Sequence, residues 1–126
     1  YYRIGAIFAI DKTDHKTATY WYAKAVPLIN DPLPDSNPSD WARHGETFVS
    51  IGLSYWEVGR QDRAIQLTES GVEWMQRALK ERAISEQSLA VPYSNLAAMH
   101  KARGNTLESR EFEVLAGKLE AQNKKR

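Results

Sequence analysis

The sequence has no cysteine and no long hydrophobic run, and each absence excludes a class of protein. Without cysteine there are no disulfides, no cysteine-bound zinc and no thiol nucleophile, a composition that fits a reducing, cytoplasmic location. The longest apolar run, Ile4 to Ile10, has seven residues, whereas a membrane-spanning helix needs roughly 18. We therefore expect a chain that does not cross a membrane.

The sequence also lacks an excess of charge of either sign. Its 17 basic and 16 acidic residues give a formal net charge of +1, which provides no strong attraction to nucleic acid or to an anionic membrane. The 126 residues, 42% of them apolar, suit one globular domain with a real core. Because the chain begins with Tyr1 rather than Met, we expect it to be a piece of a longer protein.

A pattern of apolar residue, small residue and ring occurs three times. The copies are "IGAIF" at 4–8, "IGLSY" at 51–55 and "LAAMH" at 96–100, at intervals of about 45 residues. An aromatic residue stands four positions before each small residue, which places both on one helical face. These aromatics are Tyr1, Phe48 and Tyr93. The spacing predicts the first helix of each of three repeats.

Each first helix is followed by a polar break and then by a second helical pattern. Gly59 and Gly104 stand in the second and third breaks and are typical of helix C-caps. Small and apolar residues then recur three and four apart. They are Ala18, Tyr22 and Ala25, then Ala64, Ile65, Thr68, Gly71, Val72 and Met75, then Ser109, Phe112, Ala116 and Leu119. The chain is therefore predicted to be all-α, with three antiparallel helix hairpins.

Proline marks the breaks between hairpins. Residues 30–39 contain three prolines and are predicted to be a loop. Ser39 or Asp40 is a suitable N-cap for a helix beginning near Trp41. Pro27 is expected to end or kink the preceding helix.

These copies resemble the tetratricopeptide family, whose helix pair carries an aromatic, Leu-Gly, Tyr, a turn glycine, Ala, an aromatic and Ala. The second copy matches at Phe48, Ile51, Gly52, Tyr55, Gly59, Ala64 and, as a small variant, Gly71. The long period and "SNLAAMHKARGN" at 94–105 are similar to the long-helix repeats of kinesin light chain type. The resemblance implies a right-handed α-solenoid with repeats at about 1–29, 40–84 and 88–126.

The resemblance also implies a concave groove lined by the first helix of each hairpin. The expected groove residues are Tyr2, Arg3, Val49, Ser50, Leu53, Trp56, Ser94, Asn95 and Lys101. Asn95 matches the asparagine that contacts peptide backbone in the long-helix subfamily, where an amide pairs with both N–H and C=O. Trp56 suits either the groove or the packing between repeats. Few cations stand at these positions, so the groove favours an apolar or aromatic partner.

No pattern in the sequence indicates catalysis or a bound cofactor. The histidines His15, His44 and His100 lack metal-ligand spacing, and there is no G-x-S-x-G turn or phosphate-binding loop. Carboxylates such as Glu108 and Glu111 are expected on a solvated helix face. We therefore expect no metal, no cofactor and no enzymatic activity.

Two functions stay open at this point. The first is a module that binds a peptide or helix of a protein partner in the groove. The alternative is a structural segment that stacks on further repeats or associates with itself. The last helix, predicted from Leu107 to about Asn123, has apolar residues on more than one face, and solenoid ends need polar caps.

Overall fold

The computed structural model describes residues 2–7, 9, 14–29 and 37–124, and every regular element within them is helical. The six α-helices of this part are α1 (Tyr2–Ala6), α2 (His15–Ile29), α3 (Pro38–Glu57), α4 (Gln61–Lys80), α5 (Ala90–Ala102) and α6 (Thr106–Lys124). A 3-10 helix, Glu86–Leu89, leads into α5. The prediction of an all-α chain is confirmed. Tyr1, Phe8 and residues 30–36 of the predicted loop lie outside the described residues.

Helices α3 and α4 form the most extensive pairing, and glycines let their backbones meet. A Cβ placed on Gly45 would lie 2.5 Å from the carbonyl oxygen of Gly71, and one on Gly71 would lie 2.6 Å from that of Gly45. Further along, Gly52 faces Ala64 and Thr68. Because early residues of α3 contact late residues of α4, the two helices run antiparallel. Gly52 is therefore a second point of close contact between the two helices.

Left-handed residues end α3 and α5. Gly59 has φ +85° and Gly104 has φ +80°. After each glycine, the next N–H donates to a carbonyl five residues back, Arg60 to Tyr55 at 3.0 Å and Asn105 to His100 at 2.8 Å. This is the Schellman arrangement, which satisfies carbonyls that a helix end would otherwise leave unpaired. Both predicted C-caps are confirmed.

The second helices bury the faces that their spacing predicts. Tyr22 and Met75 are almost completely buried, and Ser109 is buried with its Oγ donating to the Ala97 carbonyl at 2.9 Å, across the pair of α5 and α6. Each hairpin also contacts the next. Gln76 of α4, for example, donates to the Tyr93 hydroxyl of α5 at 3.1 Å. The described hairpins therefore share one continuous core.

The start of α3 differs from the prediction. Its N-cap is Asn37, whose side chain accepts from the Asp40 N–H at 3.1 Å, while the Asp40 carboxylate accepts from the Asn37 N–H at 3.1 Å. This capping box places Pro38 at the start of the helix, where a missing N–H costs nothing. Neither Ser39 nor Asp40 is the cap, the start near Trp41 is wrong, and residues 38–39 are helical rather than loop.

Pro27 was expected to end or kink α2, and the first of these alternatives is wrong. The helix continues through Pro27 to Ile29. Proline removes one hydrogen bond to the carbonyl four residues earlier, that of Ala23. Both Pro27 and Ala23 are exposed, so water can take the place of that bond.

Candidate functional site

The free face of α3 is the first half of the candidate site. Residues that point away from α4 recur at spacings of three and four, and all of them are exposed. They are Arg43, Glu46, Ser50, Leu53 and Glu57. Leu53 is 42% exposed although it is the only apolar member of this row. The structure thus places the predicted groove residues Ser50 and Leu53 together on an open helical face.

The other two predicted residues of α3 make contacts inside the fold. Val49 is half-buried, and its Cγ2 lies against Gly71 of α4, 2.8 Å from where a Cβ would stand. Trp56 is half-buried and packs against the core cluster. Part of each side chain is therefore buried within the fold, and only the remaining surface is accessible to a partner.

The free face of α5 is the second half of the site. Ser94 and Asn95 are half-buried and Lys101 is exposed. Among the described residues, the Asn95 amide has no hydrogen-bond partner within the chain, so its donor and acceptor are both available. Val91, 67% exposed, lies one turn before Asn95 on the same face. Sequence reasoning missed Val91, although its spacing of four from Asn95 was the signal that could have found it.

Two of the predicted groove residues belong to the first helix, α1. The side chains of Tyr2 and Arg3, both predicted groove residues, lie outside the described residues. In the same segment Ile4 is 39% exposed and Ile7 is 49% exposed. Exposed apolar residues therefore occur in α1 or directly after it, in α3 and in α5, which are the first helices of the three pairs.

The charges of these faces nearly cancel. Arg43 and Lys101 are the cations, and Glu46 and Glu57 are the anions. Arg43 is also engaged with Asp40 at 2.7 Å. The faces can offer apolar contact through Leu53 and Val91, together with one amide that can pair with a peptide group. They do not concentrate charge of either sign.

The histidines are all engaged in packing or hydrogen bonding. His15 Nδ1 is 2.9 Å from the Ser54 hydroxyl, which joins α2 to α3. The His44 ring packs edge-on against Phe48 and Trp74. His100 is buried and stacks on Phe112, and its Nδ1 accepts from the Asn105 amide N–H at 3.1 Å. His100 therefore belongs to the packing between α5 and α6.

The shifted carboxyl pKa values belong to helix starts. A hydrogen bond from the Thr17 side chain is the main cause that lowers the pKa of Asp14, and the backbone N–H of Asn37 does the same for the pKa of Asp40. The Asp14 carboxylate accepts from the Thr17 N–H at the start of α2, and the Asp40 carboxylate belongs to the capping box of α3 and also contacts Arg43. Among the described residues, no three histidine, aspartate or glutamate side chains are grouped so that they could hold a metal ion.

Comparison with protein-family models, with curated proteins and with solved structures gives no match for this chain. Within the part of the chain that the structure describes, no helix combines the length and the apolar character required to cross a membrane.

Proposed function

We propose that this chain is a protein-interaction module of the tetratricopeptide type, in which three hairpins stack as a right-handed solenoid. Its partner is a peptide or helix bound along the groove formed by α1, α3 and α5. The observation that carries the proposal is the accessibility of Leu53 on α3 and of Val91 and the Asn95 amide on α5, the first helices of consecutive pairs. The order of helix contacts supports the stacking, because each pair packs on the next in sequence.

The chemistry of these residues specifies the partner. Leu53 and Val91 remove apolar surface from water when an apolar or aromatic side chain lies against them. The Asn95 amide can bind one peptide group of an extended segment, which aligns the partner along the groove. Since the faces carry little net charge, the partner needs no strongly acidic or basic motif. We propose binding rather than catalysis, and a cytoplasmic location in which such partners are met.

The test is peptide selection against the immobilised chain, followed by affinity measurement. A selected peptide is titrated by fluorescence anisotropy against the wild type and against the double variant Leu53→Glu/Asn95→Ala. Truncation of residues that anchor an interface costs more than about 1–2 kcal/mol, so the affinity should fall at least about tenfold. Circular dichroism should show unchanged helicity because both substitutions are at solvent-accessible positions.

A matched control is available on α6. Leu115, 40% exposed, resembles Leu53 in accessibility, and Gln122 is an exposed amide on the same helix. The variant Leu115→Glu/Gln122→Ala should bind the peptide as the wild type does. Equal affinity for the wild type and the Leu53→Glu/Asn95→Ala variant would refute the groove, as would a selection that yields no peptide above background.

A second candidate function is a structural segment that stacks on further repeats or on another copy of itself. The observation that favours it is the exposed apolar surface of α6, where Leu107 is 75% exposed and Val114 is 56% exposed. Sedimentation analysis of the chain distinguishes between the two functions. A chain that is strictly monomeric and binds its peptide supports the module alone.

A further inference from the structure

Helix α6 has two faces of different character. One face is built into the core through Ser109, Ala116 and Leu119, which are all buried. The opposite face carries Val114 at its centre, and Leu115, 40% exposed, lies at the edge of this face next to a cleft lined by Leu89 and Leu119. The helix has 19 residues and is therefore roughly 28 Å long, so the free face is long enough to hold another helix.

Two opposite charges flank this apolar centre symmetrically. Glu111 lies three residues before Val114, and Lys118 lies three residues after Leu115. Both side chains are exposed, and neither forms an ion pair with another described residue. A two-fold axis perpendicular to α6, passing between Val114 and Leu115, would bring Glu111 of one copy opposite Lys118 of the other. The same axis brings Val114 of one copy next to Val114 of the other.

We propose that α6 is the dimerisation surface of this chain, and that it pairs antiparallel with α6 of a second copy. The surface is self-complementary, as a two-fold interface requires, because each copy supplies both members of the Glu111–Lys118 pair. A parallel pairing would place like charges together and is disfavoured. The partner is therefore a second copy rather than an unrelated chain, and the pairing involves none of the groove residues on α3 and α5.

The expected dimer is weak and sensitive to salt. One helix from each copy provides an interface at the low end of specific sizes, below about 1,200 Å² in total. Exposed ion pairs are also screened by salt. In sedimentation equilibrium the average mass should rise with concentration from 14.3 kDa toward twice that value, and should fall again when salt is added.

Charge reversal tests the pairing directly. Glu111→Lys alone, or Lys118→Glu alone, turns two attractions into two repulsions and should weaken dimerisation about tenfold or more. The double variant Glu111→Lys/Lys118→Glu restores opposite charges across the axis and should recover the dimer. Glu113→Lys is the control, since Glu113 is exposed on the same helix but lies on a different face. It should dimerise as the wild type does.

A cross-link tests the position of the axis, because the chain has no cysteine of its own. Val114→Cys should form a disulfide-linked dimer under mild oxidation, and Glu113→Cys should not, since bridged cysteines need Cα atoms within about 7 Å. Three results would overturn the proposal. These are a monomer at every concentration up to about 1 mM, a dimer that neither single charge reversal weakens, and assemblies larger than a dimer, which indicate head-to-tail stacking of hairpins.

Discussion

The crossing of α3 and α4 at Gly45 yields the sharpest prediction about stability. In the variant Gly45→Ala, the new methyl group would stand 2.5 Å from the Gly71 carbonyl oxygen and 2.6 Å from the Met75 Cγ. Favourable carbon contacts lie at about 3.5–4.0 Å. The obstacle is backbone on one side and a side chain that is 2% exposed on the other, so neither can rotate away. The helices must separate by about 1 Å at this point.

Two effects of opposite sign decide the outcome. Alanine is favoured over glycine within a helix by about 1 kcal/mol. Overpacking a well-packed contact costs about 1–3 kcal/mol and occasionally more. We expect a cost at the upper end of this range for Gly45→Ala, because the methyl group meets the backbone carbonyl of Gly71. We expect a net loss of about 2 kcal/mol in the free energy of unfolding. In a chain of this size, that loss lowers the melting temperature by about 6–10 °C.

The assay is urea unfolding followed by circular dichroism at the helical band, with a matched control on α6. A Cβ on Gly117 meets nothing within 4 Å, and the residue is exposed within a helix. Gly117→Ala should therefore stabilise the chain by about 0.5–1 kcal/mol. If Gly45→Ala also stabilises the chain, the close approach of the two backbones is not real.

The remaining predictions concern helix ends. Gly59→Ala should destabilise the chain by about 1 kcal/mol because alanine resists a φ of +85°. Arg82→Gly should stabilise it by up to about 1 kcal/mol, since Arg82 has φ 57°. Urea unfolding measures the change in the free energy of unfolding for both variants. If both variants were stabilised, or both destabilised, the left-handed backbone would not explain the effect. Because the folded pKa of Asp14 lies below its unfolded value, its contribution to stability is present above about pH 4 and is lost as the pH falls through the folded pKa. Thr17→Val should raise the Asp14 pKa in an NMR titration, and an unchanged pKa would refute the role of Thr17.

The helix periodicity and the turn glycines could be predicted from the sequence because they depend on local geometry. The spacing of three and four in the second helices predicts the burial of Tyr22, Met75 and Ser109, and the structure confirms it. Gly59 and Gly104 stand where a left-handed residue ends a helix, and both have positive φ. Each of these features needs only the residue type and its position in a short segment.

Helix ends that lack a characteristic residue could not be predicted from the sequence. The end of α4 uses Arg82 in the left-handed region, with the Ala83 N–H donating to the Ala78 carbonyl at 2.9 Å. It repeats the arrangement at Gly59 without a glycine to mark it. At α3, several polar residues were possible caps, and the reciprocal bonds of Asn37 and Asp40 select Asn37. Competition between neighbouring candidates is settled by three-dimensional hydrogen bonding.

For the candidate site, the sequence placed Leu53 and Asn95 on first helices, and the structure adds their exposure and the neighbouring Val91. Their assignment to a groove stays a prediction. Only the structure shows that Val49 contacts Gly71, because this contact depends on how closely α3 and α4 approach.

The sequence by itself determined the helices, their pairing in order and the small residues that allow close contact, since periodicity and glycine act over short distances. Tertiary structure alone decided which apolar side chains are left uncovered. Leu53, Val91 and Val114 are as hydrophobic as the residues of the core, but no described element covers them. Burial is a property of the packed helices rather than of the residue, and so the surfaces on which the proposed functions depend emerge only when the hairpins are assembled.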